Sequence, residues 1–218
     1  MNYFYALASC LLLSVCSVAQ TTVCLIKEDT VFAGGTDRSR INSAGEFNFV
    51  YNGPLEIPVV KTIDKIASDS RDFKTFSTTF ALAAKEFYTD FFSDILHKDS
   101  VYFDRQIMGN QLSREVGQTC LFGMEKGKPV LIDIAFYMNK GVRHPVVISY
   151  SIKQQPIAVF WAGDHPRYKG IVGSLPDRGP VGEIKKMIGI DTNGLVDGTG
   201  PPIDVLVVTK KGRMWIRK

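Results

Sequence analysis

Cysteine, histidine and tryptophan are scarce in this chain of 218 residues, which holds four, three and two of them. The histidines, His97, His144 and His165, are scattered, and no spacing of Cys, His or carboxylate matches a metal centre. We therefore expect no metal and no other cofactor. Charge of one sign is not in excess either. Twenty-six Lys and Arg against 22 Asp and Glu leave a net charge of +4, too dispersed for a nucleic-acid-binding stripe. The basic end, Lys210, Lys211, Arg213, Arg217 and Lys218, reads as a solvated hairpin. No apolar run reaches the roughly 20 residues a membrane helix needs. Internal repeats and a Pro- or Gly-rich domain linker are also missing.

What is present begins with Ala6 to Ala19, an uncharged and mostly apolar stretch. Its length suits the apolar core of a secretion signal, although Met1 to Tyr5 supplies no Lys or Arg. Small residues Ser17 and Ala19 stand at −3 and −1 of a cut after Ala19, which leaves Gln20 in front of Thr21; a cut after Gln20 exposes Thr21 directly. We expect residues 1–20 to be a signal peptide and 21–218 to be a single domain, secreted or periplasmic, without a stable membrane span. With 45% hydrophobic and 22% charged residues, that length suits one domain with a large core. Cys10 and Cys16 belong to the signal. Cys24 and Cys120 remain, either as a pair joined in an oxidising compartment or as two buried thiols.

The threonine pair Thr21-Thr22 at this boundary carries the chemistry. A threonine at a chain terminus has a hydroxyl nucleophile and, in its own α-amine, a base with an unperturbed pKa near ~8. Inside a chain the same nitrogen is an amide and the residue is inert.

Hydrophobic periodicity predicts strands at Thr22 to Ile26 and Thr30 to Ala33, joined by a Lys27-Glu28-Asp29 turn and followed by a flexible Gly34-Gly35 bend. Further strands are predicted at Phe47 to Tyr51 and around Val59, Val60 and Ile63. From Asp72 to Leu96 the period changes: Phe73, Phe76, Phe80, Ala84, Phe87, Phe91 and Ile95 form one face of a long helix, capped by Ser70 or Asp69. Tyr102 to Val116 reads as a poorer helix or a loop. Strands return at Thr119 to Met124, Val130 to Tyr137, Val146 to Ile152 and Ile157 to Trp161. A short helix, Val181 to Ile188, is stopped by Gly189, and strands at Ile203 to Val208 and Met214 to Arg217 close the chain. Helices segregated from runs of antiparallel strands indicate an α+β fold, in which two stacked sheets with helices outside would bury every apolar face.

Thr21-Thr22-Val23, a strand, a turn and Val31-Phe32-Ala33-Gly34-Gly35-Thr36-Asp37-Arg38 resemble the opening of a proteasome-type β subunit, a member of the N-terminal nucleophile (Ntn) hydrolase superfamily. Asp37 lies 16 residues after Thr21, the spacing of that family. Asp197-Gly198-Thr199-Gly200-Pro201-Pro202 and the strand from Ile203 to Thr209 resemble its closing segment, and Cys120 to Ile134 resembles its central strand pair. The match covers both ends well and the middle loosely. The family's small-residue start to its first long helix is absent, with Ala67-Ser68-Asp69-Ser70-Arg71-Asp72 in its place. Its Gly-Ser-Gly segment is also missing, where Gly163-Asp164 stands instead.

The resemblance implies a four-layer αββα sandwich of two antiparallel sheets flanked by helices, and a divergent secreted threonine-type amidohydrolase or peptidase. It implies Thr21 as nucleophile and Asp37 as the acid holding a lysine charged. Lys61 is that lysine, with Lys65 as runner-up, and Asp197 and Thr199 orient the α-amine. The expected substrate is a peptide or small amide, and homo-oligomers are possible. Two other readings stand beside this one. One is an inactive binding or structural subunit of the same fold. The other is a Cys24-dependent amidase of the penicillin-acylase type, which requires removal of everything up to Val23.

Overall fold

In the computed structural model, residues 22–35, 41–139, 146–160, 179–191 and 203–217 are described. They form an α+β protein with two antiparallel sheets. The chain opens with the hairpin β1 (Thr22–Lys27) and β2 (Thr30–Gly35), then β3 (Ile41–Ala44) and β4 (Phe47–Asn52). Helices α1 (Glu56–Asp69) and α2 (Phe73–Lys98) follow. A short helical stretch comes next, α3 (Ser100–Tyr102), continued by a π-helical turn at Phe103–Met108. Strands β5 (Ser113–Glu125), β6 (Lys128–Asn139), β7 (Val147–Gln154) and β8 (Ile157–Phe160) precede helix α4 (Gly179–Asp191) and the hairpin β9 (Asp204–Thr209) and β10 (Gly212–Arg217).

The first sheet has the order β10-β9-β2-β1-β8 and the second β3-β4-β5-β6-β7. The chain crosses between them at Gln155-Pro156. There the Gln155 N–H donates to the Leu131 carbonyl of β6, and the Pro156 carbonyl accepts from the Ile26 N–H of β1. Arg213 of β10 donates to the Gly45 carbonyl in the β3–β4 turn, a second tie between the sheets.

Strand alternation sorts the core into three clusters. Val23, Leu25, Val205 and Val207 of the first sheet meet Ile184 and Ile188 of α4. Cys24, Val31, Ala33, Leu206 and Val208 of the same sheet share a cluster with Val50, Cys120, Phe122 and Leu131 of the second. The remaining face of the second sheet, with Phe47, Phe49, Leu121, Ile134 and Phe136, meets Val59, Ile63 and Ala67 of α1 and Phe73, Phe76, Phe80 and Tyr88 of α2.

Several local expectations change here. The segment read as a strand around Val59 is the helix α1. Its β-branched residues suggest a strand, but the buried positions Val59, Ile63 and Ala67 recur every four residues, which is a helical stripe. Pro58 is tolerated because it lies in the first turn, where no intrahelical N–H is needed. Helix α2 is capped by Asp72, whose carboxylate accepts from the Thr75 N–H at 2.6 Å, and not by Ser70 or Asp69. Those hydrogen bonds hold the Asp72 carboxyl below the usual carboxylate range. Its buried stripe runs Phe76, Phe80, Ala84, Tyr88 and Phe92, so Tyr88 and Phe92 face the sheet and Phe87 faces solvent. Adjacent aromatics at 87–88 and 91–92 made either face plausible from letters alone.

Gly34-Gly35 is not a bend: both residues are ladder members of β2, opposite Val23 and Thr22. A Cβ on Gly34 would come within 2.6 Å of the Ile184 Cγ2, so glycine is what lets α4 lie close on β2. Strand β3 was not expected at all, and α4 runs past Gly189 to Asp191. Tyr102 to Val116 divides into the helical stretch ending at Met108 and the start of β5. The turns and strands elsewhere lie within one to six residues of their expected bounds, except that the Asn139-Lys140-Gly141 turn and Trp161 run outside the described residues.

Candidate functional site

The site begins with the strand ends of the first sheet. Thr22 opens β1 between two partners: it pairs with Gly35 at the end of β2 and with Phe160 at the end of β8. Gly35 in turn pairs with Asp204, which opens β9, and Asp204 pairs with Arg217 near the end of β10. Residues 160, 22, 35, 204 and 217 therefore form one row across the sheet, at the edge where β1 and β9 start and β2, β8 and β10 stop.

Directly opposed residues of antiparallel strands point to one face, and alternate residues of a strand share a face. Thr22, Gly35 and Asp204 thus lie on the face of Cys24, Ala33 and Leu206, the face that meets the second sheet. Thr22 is 4% exposed. Gly35, which stands between Thr22 and Asp204 in the row, carries no side chain.

Of the five residues expected to form the site, Thr21, Asp37, Asp197 and Thr199 lie outside the described residues. Their chain attachments are nonetheless informative. Thr21 immediately precedes β1, Asp37 follows the last residue of β2 by two positions, and 197–199 lead into β9.

Lys61 is described, and it is not on a strand. It is exposed on α1, as is Lys65. The buried residues of α1 belong to the cluster on one face of the second sheet, whereas Cys24 of β1 belongs to the cluster on its other face. Helix α1, which carries the lysine, and strand β1 therefore lie on opposite faces of that sheet. The expectation that the strand leading to the long helix carries the site lysine fails locally, because that segment is helical.

Cys24 sits in the middle of the β1 ladder, fully buried, opposite Ala33 and Ala158. A chain beginning at Cys24 would lose the two ladder residues before it.

One polar group escaped the sequence reading. Asp133 of β6 accepts from the Gln118 side-chain amide at 2.9 Å and from the Gln155 amide at 3.1 Å. It is paired with Cys120, on the same face of the second sheet. Burial pushes its carboxyl above the usual range, against the opposing pull of Gln118, Lys153 and Gln155. Tyr137 on the same strand face is raised by burial and by Glu115. The signal was a lone aspartate inside the apolar run Val130 to Tyr137. A carboxylate held by two amides is satisfied and acts first as structure.

Among the described residues no group of His, Cys, Asp and Glu could hold a metal ion, and no helix is long and apolar enough to cross a membrane. No protein-family model matches the chain, and no curated protein matches it.

Proposed function

We propose that this chain is a secreted or periplasmic amidohydrolase or peptidase of the Ntn type, acting by acyl transfer through Thr21. The observation that carries the reading is the shared sheet edge. The chain enters β1, leaves β2 and enters β9 at one end of the first sheet, so the segments bearing Thr21, Asp37, Asp197 and Thr199 all attach there. The order of strands and helices and the three core clusters support a four-layer αββα sandwich as its architecture.

In this reading the Thr21 hydroxyl oxygen attacks the carbonyl carbon of a peptide or small amide. The α-amine takes the hydroxyl proton and passes it to the leaving nitrogen as the C–N bond breaks. Water then hydrolyses the resulting ester and restores the threonine. Asp37 holds a lysine charged near the nucleophile, and Asp197 and Thr199 orient the amine. Assembly into homo-oligomers would narrow access to larger substrates.

The test combines N-terminal sequencing of the exported protein with turnover of a panel of peptide amides. A chain starting at Thr21 is expected, and Thr21→Ala should lower turnover by about 10³-fold or more while circular dichroism stays unchanged. Full activity in Thr21→Ala would sink the assignment. A second reading has its own observation: Thr22 lies on the face that meets the second sheet, in the row of Asp204. A chain starting at Thr22, with Thr22→Ala inactive and Thr21→Ala active, selects it.

A further inference from the structure

Cys24 and Cys120 stand on different sheets, β1 and β5. Both are fully buried, with 0% exposure. They belong to the same cluster, the one that joins the two sheets, among Val31, Ala33, Phe122 and Leu131. Burial first, and then the neighbouring Cys24 thiol, push the Cys120 thiol well above the ordinary thiol range. They are the only cysteines outside the apolar N-terminal stretch. The two fully buried thiols, one from each sheet, are free in the structure and share the core cluster that lies between the sheets.

We infer that Cys24 and Cys120 form a disulfide that staples the first sheet to the second when the chain folds in an oxidising compartment. The inference does not depend on the hydrolase reading. Its chemistry is thiol–disulfide exchange with an external disulfide, either a small-molecule one or that of a protein oxidoreductase. The two cysteine thiols lose two protons and two electrons in forming one S–S bond, and the external disulfide is reduced to two thiols. The attacking species is the thiolate. Once the sheets have closed, burial puts both thiols out of reach of an external disulfide, so the exchange occurs on the folding chain. The reduced, folded protein is a form that later oxidants do not convert. The bond closes nearly half the chain into one loop, which restricts the unfolded state strongly.

The experiment refolds the full-length chain from denaturant in a buffer of reduced and oxidised glutathione. Remaining thiols are alkylated, and the product is digested without reduction for peptide mapping by mass spectrometry. The expected map shows the Cys24 peptide joined to the Cys120 peptide, and the melting temperature falls by about 10 °C when dithiothreitol is present during refolding. A Cys24→Ala/Cys120→Ala double variant should melt at one temperature in both buffers. Alkylated Cys24 and Cys120 in the refolded protein would overturn the inference. So would a map that joins either of them to Cys10, Cys16 or glutathione.

Discussion

Asp133 shows how a single side chain acquires a pH signature from its surroundings. Its folded-state carboxyl is raised by burial, so folding favours the protonated form. Charging it is a cost borne in full above the folded pKa and relieved as pH falls through that value towards the unfolded one. Asp133→Asn removes this linkage, but places an amide N–H against one of the two glutamine donors that now serve the carboxylate. We expect the stability of wild type relative to Asp133→Asn to grow as pH drops from neutral towards about 4. Urea melts of both proteins across that range check the sign. Lys61 belongs to the same scale. Exposed on α1, on the far side of the second sheet from the β1 cluster, it should be dispensable: Lys61→Ala is expected to keep stability within about 0.5 kcal/mol and turnover within about twofold. A large loss of turnover, with the fold intact, would return it to the site.

At the scale of elements, close approach explains what propensity does not. Strand β5 has a bulge between Glu115 and Gly117, and a Cβ at Gly117 would overlap the Tyr88 hydroxyl of α2. That hydroxyl is buried, bonded to the Tyr51 hydroxyl at 2.9 Å, and the Tyr51 hydroxyl also accepts from the Leu55 N–H just before α1. One glycine thus admits the tyrosine pair that joins β4, α1 and α2. Gly117→Ala should cost about 1–3 kcal/mol through overpacking, read as a lower denaturation midpoint, with partial recovery in a Gly117→Ala/Tyr88→Phe double variant. A neutral Gly117→Ala would mean that α2 shifts freely on the sheet. Gly34 serves the same purpose between β2 and α4. Both glycines are visible in the letters, but a glycine that makes room for a helix is indistinguishable there from one that makes a bend. The partner, 29 positions away for Gly117 and 150 for Gly34, decides which it is.

For the whole molecule, the inter-sheet cluster is the joint on which the two halves depend. Phe122 is fully buried within it, on a strand that also meets the helices through Leu121. Phe122→Ala should destabilise by about 3–5 kcal/mol, with a single cooperative transition and an unchanged denaturant slope. A second, separate transition would show that the sheets unfold independently.

The letters alone determined the long helix, most of the strands, the hairpin turns and the α+β class, because each rests on local periodicity and on turn residues whose backbone demands are local. They also determined that a threonine pair, an aspartate 16 residues on and an Asp-x-Thr near the end are available for one chemistry. Only the tertiary structure decided that Val59, Ile63 and Ala67 form a helix, that Lys61 stands on a helix across the second sheet from β1, and that Cys24 and Cys120 share one inter-sheet cluster. It also decided that the ends of β1, β2 and β9 share one edge. These are pairings between residues distant in sequence, set by which apolar faces bury one another, and no window of neighbouring residues contains that information.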